Sequence, residues 1–356
     1  MWTPEEVEQV LGEEDGEVFC RYYDITPHGN FEHGNSILNI PVPADGIAKL
    51  FKISPDRVRE IVEKGARKLF EVREQRVKPG RDEKVQTSWN GLMISSFARA
   101  FSVLNEERYR IAAEGAARFI LEHLYKDEKL LHTWKDGRAR FNGYLDDYAF
   151  FICGLLDLYE ATLDEKWLRE ALALTGVMVA QFWDQEGGGF FFTGRDHEKL
   201  LVRSKNPFDN AIPSGNSTAA HALLRLSALT GRQDLTEKGE RVLEVFRDFM
   251  AESPGGFAHM LGALDFFIEK PREIAIVGRR DSEDTRLLLS AVHGRFLPSK
   301  VICLLDPEAG SDAADLIPLL AGKTRKDGRA TAYVCQDFTC SAPVMDADEL
   351  GRLLER

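Results

Sequence analysis

The sequence predicts a mostly α chain, an (α/α) toroid of helical hairpins (an incomplete six-hairpin barrel) with a small C-terminal β-α-β appendage. Three observations predict it. A two-helix plan recurs three times, at a spacing of about 60 residues. The first helix of each pair is the more uniformly small and apolar, the mark of a buried helix, while the second is striped with charge. After residue 272 the pattern changes to short apolar runs alternating with a helix.

Taken in order, residues 17–43, rich in aromatics and turn formers, read as an insertion of short strands and loops. Helices follow over 44–76. The charged segment "SPDRVREIVEKGARKLFEVREQRV" places Val58, Ile61, Val62, Leu69 and Val72 on one stripe. Inner helices are expected at 89–104, 145–160 and 214–229, and outer ones at 106–124, 165–183 and 234–250. After each pair comes a glycine- or aromatic-bearing loop: "YKDEKLLHTW", "WDQEGGGFFFT" and "ESPGGFAHML". "GGGFFF" follows a helix and precedes a strand-like run, so it closes a hairpin and does not cradle phosphate. Strands "EIAIVG", "KVICLLD" and "TAYVCQ" with helix "DSEDTRLLLSAVHGRF" make the appendage. The expected domains are therefore 1–272, the toroid, and 273–356, the α/β appendage.

Composition narrows the function classes. A net charge of -12 leaves no basic face for counterion release, which argues against nucleic acid or an anionic membrane as partner. The acidic N-terminal segment lacks a signal peptide's apolar core, and no apolar run reaches membrane-spanning length. Cys20, Cys153, Cys303, Cys335 and Cys340 form no C-x-x-C, and a cytoplasmic, reducing location fits them. Cys335 and Cys340 lie on or beside one predicted strand. Extended backbone holds them apart unless a turn intervenes at Asp337-Phe338, so free buried thiols are expected, with a redox role as the lesser reading. "IVGRRD" lacks the dinucleotide fingerprint and no metal-ligand spacing occurs, so neither cofactor nor metal is expected.

Parallel inner helices open at one end of the ring, and there "TSWNG", "GYLDD" and "NAIPSGNS" would converge. Asp146 and Asp147 begin one inner helix. Carboxylates there cap and complement the helix dipole, but adjacent residues point about 100° apart, so one can cap while the other faces a pocket. A glycosidase needs a second carboxylate across the sugar, and Asp209 and Glu32 are the candidates. Trp89 and Asn90 suit a sugar's C–H face and hydroxyls, though a buried structural Trp with Ser88 as cap is the blander reading. Tyr148, Ser214 and Asn216 join them as binders, since one cap would have sufficed at the knot 213–217. His221 and His259 could flank a carbon as two bases, but satisfied core or rim histidines are the commoner case.

The stretches "WTPEEV", "GNFEHGNSILNIP", "DEKVQTSWNGLM", "GYLDDYAF", "FWDQEGGGFFFT", "RSKNPFDNAIPSGNS" and "AYVCQDFTCSAPV" run in order along nearly the whole chain. Together they resemble the thioredoxin-domain-containing family called YyaL-type in bacteria and spermatogenesis-associated in animals. Where that family carries Asp and Gly, this chain has Asn206 and Asn210. The resemblance implies a six-hairpin toroid of the glycosidase and sugar-epimerase superfamily, and a chain lacking the N-terminal thioredoxin-like domain and first ring helices. It implies a carbohydrate-binding or carbohydrate-processing protein with a small sugar-like ligand. The alternative is a non-catalytic scaffold or redox-partner module that docks a thioredoxin-like domain or the missing N-terminal half. A truncated ring would also expose an apolar flank.

Overall fold

The computed structural model describes residues 1–309, 313–337 and 339–355. The chain forms two compact units, 1–82 and 83–356, which groups it differently from the expected 1–272 and 273–356.

The first unit is helical. Helix α1 (Pro4–Leu11) starts at a reciprocal cap in which Thr3 and Glu6 satisfy each other's backbone N–H. Helix α2 (Glu13–Tyr22), α3 (Ala44–Phe51) and α4 (Pro55–Glu74) follow. The strands expected in 17–43 are absent among the described residues. The region instead continues α2 to Tyr22, then runs as loop with one 3-10 turn and a single bridge from Trp2 to Ser36. Tertiary burial overrides aromatic β-propensity here, because Val18 and Phe19 bury against this unit's own helices. On α4, Val58, Ile61 and Leu69 are buried and Val72 is exposed. Gly65 is required among them, since an added Cβ would lie 2.7 Å from the Phe19 ring.

The second unit holds the helical hairpins of the α/α toroid together with the small C-terminal sheet. It opens with strand β1 (Val85–Gln86), α5 (Thr87–Leu104), α6 (Glu107–His123), β2 (Tyr125–Lys126), β3 (Lys129–Lys135) and β4 (Arg138–Asn142). Then come α7 (Leu145–Thr162), α8 (Glu165–Phe182), α9 (Gly215–Thr230), α10 (Gln233–Glu252) and α11 (Ala258–Glu269). Helices α5, α7 and α9 are inner and α6, α8 and α10 outer, within two residues of the expected bounds. α11 adds a fourth inner helix where a loop ending near Leu261 was expected.

Contacts between the inner helices fix their direction. Gly91 of α5 lies against Phe150 and Phe151 of α7, and further along Ser95 and Arg99 reach Asp157. Asp146 lies against Gly215 of α9, and further along Asp157 pairs with Arg225. Both partners advance together, so the helices are parallel. Burial follows the apolar pattern, with α7 and α9 enclosed for most of their length. α5 differs: Ile94 and Ala98 are buried on one face, while Trp89, Met93, Val103 and Leu104 are exposed on the other.

The remaining elements are β5 (Arg272–Val277), α12 (Glu283–His293), β6 (Lys300–Leu305), α13 (Ala313–Leu316), β7 (Thr331–Gln336), β8 (Thr339–Cys340) and α14 (Ala347–Leu354). β5 pairs parallel with β6 and antiparallel with β7, the expected strand–helix–strand unit plus a reversed strand that pairs in turn with β8. The free-thiol expectation is corrected here. β7 and β8 form a hairpin that sets Cys335 opposite Cys340, with Cα atoms 4.0 Å apart and the sulfurs bonded. Asp337 turns the chain with φ 47°, while Phe338 lies outside the described residues. Among the described residues no helix is long and apolar enough to cross a membrane.

Candidate acid–base site

The polar knot before α9 is spent on cross-bracing. Ser214 caps α9, its Oγ accepting from the Ser217 N–H at 3.0 Å. Asn216 is fully buried and brackets the preceding loop: its Oδ1 accepts from the Phe190 N–H at 2.8 Å. Its Nδ2 donates to the carbonyls of Phe190 and Asn206 at 2.9 and 3.3 Å. Asp209 receives four donors, the Ser214 N–H, the Ser217 hydroxyl and the backbone N–H groups of His259 and Met260. It ties the starts of α9 and α11 together, which accounts for more polar material than a single cap requires.

The two carboxylates of α7 divide as their 100° separation implies. Asp147 is fully buried and accepts from the Ser88 N–H at 2.9 Å and the Tyr144 N–H at 2.8 Å, joining the starts of α5 and α7. Its Oδ2 also lies 2.9 Å from His132 Nδ1. Asp146 is half-buried and sits over Gly215, where an added Cβ would come within 2.4 Å of its Oδ1. Burial, with the charge of Asp147 next, pushes the Asp146 carboxyl up to about 6.

His132 is the partner that sequence reasoning missed. It stands on β3, and its bond to Asp147 raises its pKa above 6.5 against an opposing effect of burial. The buried carboxylate fixes the ring through Nδ1 and 26% of the side chain stays exposed. The charges of Asp146 and His132 each influence the other. Beside them lies an aromatic surface. Tyr144 stacks on Phe192 with centroids 4.9 Å apart and meets His132 edge-on at 5.1 Å. A carboxyl raised to about 6 and an imidazole held by a carboxylate, beside half-buried rings, can exchange protons with a ligand whose apolar face rests on those rings.

The other expected residues are engaged differently. Trp89 is 60% exposed on α5, and Asn90 returns its Nδ2 to the Gln86 carbonyl. Tyr148 is buried against Phe182, its hydroxyl accepting from the Leu130 N–H at 2.9 Å. Glu32 belongs to the first unit, in the 3-10 turn, where its carbonyl accepts from Asn35. Asp146, Asp147, Ser214 and Asn216 thus share one end of the helical layer, but only Asp146 has a carboxyl not committed to several internal bonds.

No known protein-family model matches the chain. Over 383 residues it is 33% identical to spermatogenesis-associated protein 20 of Homo sapiens, and it is 34% identical to that of Rattus norvegicus over 385. These alignments cover 99% and 100% of the chain, which spans 49% of the length of each relative. Among solved structures it is similar to the GH76 α-mannanase BT2949 of Bacteroides thetaiotaomicron, with a TM-score of 0.44 and 14% identity, covering 81% of this chain and 79% of that one. It is also similar to cellobiose 2-epimerase of Bacillus thermoamylovorans, with a TM-score of 0.40 and 17% identity, covering 48% and 46%.

Proposed function

We propose, from the premise that the chain is homologous to spermatogenesis-associated protein 20 over about half of that protein's length, that it processes a carbohydrate by proton transfer at Asp146 and His132. The observation that carries this reading is the pairing of a half-buried carboxyl, pushed up to about 6, with a carboxylate-oriented imidazole beside an aromatic surface. A half-buried carboxyl raised above its ordinary range and an imidazole fixed by a second carboxylate are the residue types that general acid–base catalysis uses. One removes the proton next to the carbonyl of an open-chain sugar and the other returns one, the chemistry of an epimerase or isomerase. Hydrolysis by two carboxylates is less well supported, because Asp147 and Asp209 accept three and four hydrogen bonds within the fold.

The test is solvent exchange. The chain is incubated in deuterated water with mannose, glucose, cellobiose and N-acetylated hexosamines, and deuterium at C2 is followed by NMR. Exchange that falls at least a hundredfold in Asp146→Asn and in His132→Asn, with circular dichroism unchanged, supports the assignment. Absence of exchange with every sugar, or exchange that both variants retain, overturns it and leaves the scaffold reading.

A further inference from the structure

A cavity lies farther along the inner helices. Asp157 follows Asp146 by eleven residues on α7, which places it about 16 Å along the axis. Around it is a cavity of about 270 Å³ lined from α5, α7 and α9 and from the segment joining α12 to β6. Its volume is just below the usual lower bound for ligand pockets, about 300 Å³, so its occupant is of monosaccharide size or smaller.

The cavity is cationic in a chain of net charge -12. Arg99, Arg225, Arg295 and Lys300 line it against Asp157 and Glu160, and with Arg295 paired to Glu355 at 3.1 Å three cations face two acids. Arg225, itself buried, already bridges both acids at 2.8 Å each. A purely structural ion pair would stop there. Instead Arg99 adds a second cation to Asp157 at 3.0 Å, and Lys300 adds one to Glu160 at 3.3 Å. Arg99 keeps 65% of its side chain exposed although Asp157 keeps only 5%. Burial, the largest single effect, would raise Asp157 and Glu160, but Arg225 together with Arg99 at Asp157 and with Lys300 at Glu160 outweighs it, and both lie below the usual carboxylate range. Two imidazoles complete the lining: burial, with nearby cations, lowers His221 to about 3 and His293 to about 4, so both stay neutral. The ring of His221 meets that of His259 at 5.5 Å, and His259 Nε2 is enclosed without a hydrogen-bond partner.

We propose that this cavity binds a small polyhydroxylated anion, a sugar carrying a phosphate ester or a carboxylate, with Arg99 and Lys300 holding the anionic group. The neutral imidazoles of His221 and His293 meet its hydroxyls without adding charge. This site is distinct from the Asp146 site and does not depend on it.

The experiment is isothermal titration of the whole chain with glucose 6-phosphate, glucuronate, inorganic phosphate and glucose. At least one anionic sugar binds, glucose binds at least a hundredfold more weakly, and added salt weakens the complex. The preference between glucose 6-phosphate and glucuronate separates the phosphate source from the carboxylate source. Arg99→Gln and Lys300→Met each weaken binding tenfold or more, Lys300→Arg retains it, and Asp146→Asn leaves it unchanged. Should Arg99→Gln not fold, the two Lys300 variants decide. No binding by either anionic sugar overturns the proposal, as does binding of inorganic phosphate alone. Variants that lower the melting temperature without changing affinity also overturn it, because they reduce the cluster to a structural ion network.

Discussion

Replacing Asp146 by Asn removes a carboxyl whose ionisation the fold disfavours, and that penalty can be read as stability. Its folded pKa stands near 6 against an ordinary 3.8. The folded state therefore holds the proton more tightly than the unfolded chain. Stability from this group is complete below 3.8 and is lost as pH rises through 6. A difference of about 2.2 units corresponds to about 3 kcal/mol, of which about 1.4 kcal/mol develops between pH 5 and pH 8. The neutral amide carries no such penalty, and its side-chain oxygen can still face Gly215. Asp146→Asn should accordingly be more stable than the parent at pH 8, by up to about 3 kcal/mol, with the advantage shrinking toward acid. Partial contact with water makes this an upper bound. Urea unfolding of both proteins at half-unit steps from pH 5 to pH 8 measures it. Two stability curves that stay parallel across that range would refute the burial argument. A variant that gains stability while losing sugar exchange would mark a site that trades one for the other.

Three further substitutions test the scaffold. Gly91→Ala drives a Cβ to 2.6 Å from the Phe150–Phe151 peptide of α7 and should cost about 2–3 kcal/mol in chemical denaturation, with no loss of helix signal at low denaturant. Arg225→Met removes the buried cation shared by Asp157 and Glu160, leaving each with one partner, Arg99 or Lys300, and should cost about 3 kcal/mol near pH 7, a loss that shrinks as acid protonates them. Asn216→Ala leaves the Phe190 N–H and carbonyl without partners and should cost about 2–3 kcal/mol, with faster hydrogen exchange at the Phe190 amide as its local readout.

The inner and outer helices were legible because burial on all sides and burial on one stripe leave different residue patterns, and α7 and α8 keep that difference. α11 was not, because Pro254, Gly255 and Gly256 before it read as loop although its own residues pack as an inner helix. The β3–β4 hairpin carried a usable signal that went unread: Asp136-Gly137, both at positive φ, is a tight-turn dipeptide between two extended runs. Missing that strand meant missing His132. Asp146 could be named as one of two acids, but which acid caps and which stays available depends on Ser88, His132 and Gly215, partners brought near only by folding. The excess polarity before α9 was visible, while its use as a brace on Phe190, Asn206 and α11 is set by contacts distant in sequence. The cysteine pair turned on one reversal of the chain between residues that look like a single strand.

Parallel inner helices have an electrical consequence. Each carries partial positive charge at its start and partial negative charge at its end, so α5, α7 and α9 add along one direction. Their outer partners α6, α8 and α10 return through short hairpin turns and point the other way. At a distance the opposed sets largely cancel, and a passing solute meets little more than the net negative charge. Close to the inner layer the nearer helices dominate, and a graded potential runs from Asp146 toward Arg99, Arg225 and Lys300. Those cations stand toward the negative ends, where they offset it. The inner layer thus presents partial positive charge beside Asp146 and partial negative charge toward Arg99 and Arg225, so its two ends favour ligand groups of opposite sign.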